Sequence, residues 1–150
     1  MRLKTPVVMG VLAFAGLADS IYLTLVHYGF ANIESSPAST MCEIARGSCD
    51  IVSKSSSYSL LGIPSSLLGT AYFILVAAFI TASIINRRWI APRIMLGIFV
   101  AGLFFSVYLI YVMFYVLKTP CPFCILAHII NVTILFLYGH SLYKHAGSTN

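Results

Sequence analysis

Residues 118–143 read KTPCPFCILAHIINVTILFLYGHSLY, from Lys118 through Cys121-Pro122-Phe123-Cys124 to Tyr143. This stretch decides the fold. Lys118 and Pro120 end one long apolar segment, and Pro122 is well placed as the first residue of the next. That next segment, Phe123–Tyr143, is continuously apolar and about as long as the roughly 20 residues a membrane-spanning helix needs. Three further runs of that kind precede it, at about Val7–Tyr28, Leu60–Ile85 and Ile94–Leu117. None alternates with a period of two, so helices are expected rather than barrel strands.

Composition supports this reading. The chain of 150 residues is 59% hydrophobic and only 9% charged, with a mean hydropathy of +0.94. Soluble domains carry about 25% charged residues, and a soluble fold of this size could not bury so much apolar surface. The expected architecture is all-α: one domain over residues 1–150, a bundle of four transmembrane helices (about 7–28, 60–85, 94–117 and 122–143). A cysteine-bearing outer loop, about 31–59, caps it.

The N-terminus invites a second reading. Met1–Lys4 is basic, Val7–Ala15 is apolar, and Gly16-Leu17-Ala18 resembles a signal-peptidase site. The apolar run nevertheless continues through Ile21, Leu23, Leu25 and Val26, which makes it long enough to span, and an uncleaved first helix is expected.

Orientation follows from the basic residues. Arg2, Lys4, Arg87, Arg88, Arg93 and Lys144 fall on one side of such a bundle, and only Arg46, Lys54 and Lys118 on the other. The positive-inside rule then puts both termini in the cytoplasm. The net charge of +5 is explained as a topology signal, with no need for nucleic acid. Cys42, Cys49, Cys121 and Cys124 all fall on the outer, oxidising side, where disulfides persist.

The segment 31–59 is rich in serine and contains Pro37, as expected of an irregular loop. It turns apolar at Leu60-Leu61-Gly62-Ile63-Pro64, and Pro64 is expected in the first turn of the second helix.

The Cys-Pro-Phe-Cys turn carries redox chemistry. Cys121 is expected near the N-cap of the last helix and Cys124 at its third position. There the unpaired N–H groups and the helix dipole favour a thiolate, the reactive form of cysteine. A static disulfide is the bland alternative. A zinc site fits poorly, because the spacing of Cys42 and Cys49 is not that of a zinc ribbon. With no flavin or metal motif to take electrons from Cys121 and Cys124, a lipid-soluble quinone held in the bundle core is the natural acceptor. His128, one turn after Cys124 on the same face, is either a hydrogen-bond donor to a quinone oxygen or an interhelical histidine. Asn131 is expected to join helices. Asp19, the single acid within a span, either handles protons or packs against Ser or Tyr partners.

The order of these features resembles the vitamin K epoxide reductase family, in its bacterial form without a fused thioredoxin domain. The matching stretches are Asp19-Ser20-Ile21-Tyr22-Leu23-Thr24, Cys42 to Cys49-Asp50-Ile51-Val52, Ser55-Ser56, Leu61-Gly62-Ile63-Pro64 and Cys121-Pro122-Phe123-Cys124-Ile125. The resemblance implies a membrane thiol oxidoreductase of the bacterial cytoplasmic membrane that supports disulfide formation outside the cytoplasm. It implies that Cys42 meets an extracytoplasmic thioredoxin-fold (DsbA-like) partner, that Cys49 exchanges with Cys121, and that Cys124 faces the quinone. By the same resemblance Ser55 or Ser56, Ser65, Phe123 and His128 surround the quinone head group. The animal enzymes have asparagine where this chain has Ser65, and tyrosine where it has His128. A respiratory quinone, ubiquinone or menaquinone, is therefore expected ahead of vitamin K epoxide, with a vitamin K-type quinone left open. Two other readings are a DsbB-type quinone-linked oxidase, whose Cys-X-X-Cys belongs to the first outer loop, and a non-enzymatic subunit stapled by disulfides.

Overall fold

The computed structural model describes residues 4–28, 30, 59–60 and 63–146. Helix α1 runs over Lys4–His27, α2 over Ser65–Ile85, α3 over Pro92–Tyr111 and α4 over Pro122–Ala146. All four are long and apolar enough to cross a membrane. Large apolar side chains point outward along them, with Val11 65%, Phe104 73% and Phe136 72% exposed. Such a surface is suited to lipid and not to water.

The second helix starts later than its apolar run suggests. Strand β1 (Ser59–Leu60) pairs antiparallel with β2 (Ile63–Pro64), Ser59 opposite Pro64 and Leu60 opposite Ile63. Pro64 serves as the N-cap of α2 in extended backbone, with φ −61° and ψ 136°. The cause is local: a residue that precedes proline is pushed out of the α region, so Ile63 stays extended and the helix begins beyond Pro64.

Between lipid-solvated helices there is little hydrophobic drive, and close packing depends on small residues. The α1–α2 seam is built this way, antiparallel. Gly10 lies against Ile80 and Ile84, Gly16 against the Phe73 ring, and Ser20 against Gly69. The Thr24 and Thr70 hydroxyls meet at 3.3 Å. At the Arg87 end of the bundle, α4 is tied to α3. The Tyr138 hydroxyl donates to the Pro92 carbonyl at 3.0 Å, and its ring packs edge-on against Trp89 and Phe99.

Two packed clusters result. One, toward the Arg87 end, gathers Met9, Phe73, Ile80, Met95, Phe99, Ile134 and Tyr138. The other, toward Cys121, gathers Leu23, Leu109, Val112, Met113, Cys121 and Cys124. Helix α3 widens into a π-turn at Val112–Val116, closed by the Leu117 N–H donating to the Val112 carbonyl at 2.9 Å. Such widened turns recur at functional sites. Here the turn leaves Met113 fully buried, with its sulfur accepting the Cys121 N–H at 3.3 Å.

Candidate functional site

The Cys-Pro-Phe-Cys turn adopts the geometry expected of it. Pro122 is the first residue of α4, where its missing N–H leaves no bond unmade. Cys121 precedes it, and its carbonyl accepts the Ile125 N–H at 3.0 Å, the first bond of the helix. The Cys121 sulfur accepts the N–H of Cys124 at 3.4 Å. It thus takes the place that a serine or aspartate oxygen usually fills at an N-cap. Both cysteines are buried thiols. A hydrogen bond from the Cys124 side chain is the main influence holding the Cys121 thiol below its ordinary range. The backbone N–H groups of Cys124 and Phe123 add to it, against burial and the negative charge of Asp19. Cys121 is therefore suited to act as an exchanging thiolate.

Between the two clusters lies a cavity of about 420 Å³, within the usual range for small-molecule sites. Its wall is mainly apolar, from Leu23, Leu68, Phe73, Ile98, Phe105 and Leu109. Cys124, Ser65 and His128 also line it, so the structure brings three of the expected site residues together. Cys124 and His128 lie one turn apart on α4, as their spacing requires. The Nε2 atom of His128 is buried without a hydrogen-bond partner among the described residues, which leaves it able to serve a ligand oxygen. His128 also borders a second hollow of about 320 Å³ with Phe114 and Ile129.

Phe123 is not on the cavity wall; its ring packs against Tyr22, centroids 5.6 Å apart. Cys42, Cys49, Ser55 and Ser56 lie outside the described residues. Asp19 is buried, and its Oδ2 has no Ser or Tyr partner among the described residues. It acts on Cys121 through its charge.

Asn131 does join helices, and in doing so it reaches the site. Its Oδ1 accepts the Tyr72 hydroxyl at 2.6 Å, and its Nδ2 donates to the Ser106 hydroxyl at 3.1 Å. Tyr72, Ser106 and Asn131 all line the cavity. Tyr72 and Ser106 are additions to the sequence-based set. The available signal was that they are polar residues within apolar spans, which membranes tolerate chiefly at interior positions.

A four-helix membrane bundle with a helix-capping dithiol beside a mainly apolar cavity defines a class, that of intramembrane thiol redox proteins. The sequence matches the vitamin K epoxide reductase family over residues 7–138, and the chain belongs to that family. Members of this family are membrane oxidoreductases of the thiol type, linked in general to quinones and to thioredoxin-like partners. Comparison with curated proteins gave no match.

Proposed function

We propose that this protein transfers electrons from an extracytoplasmic thioredoxin-fold dithiol to a membrane quinone, through Cys42 and Cys49 and then Cys121 and Cys124. The observation that carries this reading is the placement of Cys124 on the wall of the 420 Å³ cavity, next to a Cys121 thiol biased toward its thiolate.

In the proposed relay, a partner thiolate attacks Cys42 and breaks the Cys42–Cys49 disulfide. The released Cys49 attacks Cys121 and breaks the Cys121–Cys124 disulfide. Cys124 is freed as a thiolate beside the quinone in the cavity. The partner's second thiol then releases Cys42, and Cys42 reclaims Cys49 from Cys121. The Cys121 thiolate closes its disulfide with Cys124 again, and as that bond forms the electron pair passes to the quinone. The partner dithiol becomes a disulfide, and its two electrons and two protons end on the quinone, which leaves as quinol. Each sulfur step is thiolate attack on a disulfide, and relative potentials set its direction.

The residues present suit such a substrate. The ring would lie against apolar walls, with Ser65 and His128 offering polar contacts to its oxygens and Ser55 or Ser56 contributing from the outer loop. Ubiquinone and menaquinone are the favoured substrates, with a vitamin K-type quinone as a third. The cysteines would face the outside of the bacterial cytoplasmic membrane.

The test is quinone absorbance with purified protein, a reduced thioredoxin-fold partner and ubiquinone or menaquinone. The oxidised band should bleach with wild type and not with Cys124→Ala. Failure of wild type to reduce either quinone, even with small thiols added, would overturn the reading.

A further inference from the structure

The hydrogen bonds among Tyr72, Asn131 and Ser106 run in one direction in the structure. A tyrosine hydroxyl has one proton, and that of Tyr72 goes to Asn131 Oδ1 at 2.6 Å. Asn131 answers with an Nδ2 proton to Ser106 Oγ at 3.1 Å. Ser106 is thereby used as an acceptor and keeps its own proton to give. It makes no other hydrogen bond among the described residues. Ser106 is 5% and Asn131 4% exposed, so water cannot readily take that proton, and both residues line the cavity.

We propose that Ser106 is the hydrogen-bond donor to the quinone carbonyl farther from Cys124. The proposal rests on the quinone reading above. Quinone oxygens are acceptors only, so a site that orients the ring needs donors at defined places. Asn131 lies two helical turns along α4 from Cys124, about 10 Å by helix rise. The donor that it supports therefore addresses the opposite end of a ring held beneath the thiol. Successive donation along a chain polarises its last member, which makes the Ser106 proton a better donor than an isolated serine would offer. Gly102 makes the arrangement possible. A Cβ there would stand 2.7 Å from the Tyr72 ring and hydroxyl, so only glycine lets Tyr72 cross α3 to reach Asn131.

The test uses the full-length protein in lipid, with short-tailed ubiquinone and menaquinone carrying isotope-labelled carbonyls. A hydrogen bond lowers the infrared carbonyl stretch of the bound quinone. Ser106→Ala should raise one of the two carbonyl bands and increase the quinone KM about tenfold, as loss of one hydrogen bond implies. Thiol exchange with the dithiol partner should be unchanged, and Ser106→Thr, which restores a hydroxyl, should recover both band and KM.

Unchanged bands and KM in Ser106→Ala, with wild type active, would overturn the hydrogen bond alone. Equal losses in Ser106→Ala and Ser106→Thr at matched thermal stability would make Ser106 a packing position and overturn it too. A wild type that neither binds nor reduces either quinone would remove the reading beneath it.

Discussion

The sulfur of Cys121 closes the first turn of α4 by accepting the Cys124 N–H, and the Cys124 side chain is the main influence lowering its pKa. One residue thus tunes the other. In a background with Cys42 and Cys49 replaced by alanine, the alkylation rate of Cys121 should be followed against pH by mass spectrometry. A lowered pKa means that the thiolate persists to lower pH, and that reactivity is lost only as pH falls through that lowered midpoint. Replacing Cys124 by alanine removes the largest stabilising contact, so the midpoint should move up toward that of an ordinary thiol, about 8.5. A midpoint that stays in place would mean that backbone N–H groups alone set the pKa. Nothing comparable is legible for Asp19 from sequence. Its rarity within a span marks it, but only the structure brings its charge to bear on Cys121.

At the scale of elements, the α1–α2 seam depends on glycine where two helices nearly touch. A Cβ on Gly16 would collide with the Phe73 ring, whereas Gly97 has nothing within 4 Å. Gly16→Ala should therefore destabilise the protein by about 1–3 kcal/mol, through overpacking. Gly97→Ala should be neutral or stabilising by up to about 1 kcal/mol, because alanine is the better helix former. Thermal unfolding of both variants in one detergent checks the contrast, and equal shifts would refute it. The four spans were legible because unbroken apolar length is a strong signal. The start of α2 was harder. Leu60 to Ile63 is apolar enough to extend a helix, but the proline effect on Ile63 outweighs it and a short hairpin forms instead. The π-turn at Val112–Val116 has no sequence mark, since one extra residue in a turn leaves an apolar run unchanged. The Tyr72–Asn131–Ser106 chain was half legible. A polar residue in a span predicts a partner, but which partner depends on the register of three helices at once.

For the whole molecule, antiparallel packing places exposed Arg87, Arg88 and Arg93 at one end and exposed Lys118 at the other. The positive-inside rule then predicts cytoplasmic termini. Alkaline phosphatase fused to the C-terminus should be inactive in cells, and the same enzyme inserted after Lys118 should be active; the reverse pattern would invert the assigned topology. The cavity also divides the bundle's packing into two clusters, around Ile80 and around Met113. Distant sites without shared partners contribute to stability additively, within about 0.3–0.5 kcal/mol. The hollow therefore works as an expansion joint. Sequence drift in the core around Ile80 can proceed without retuning the dithiol end, while residues on the cavity wall, drawn from both clusters and facing one shared space, are bound to change in concert.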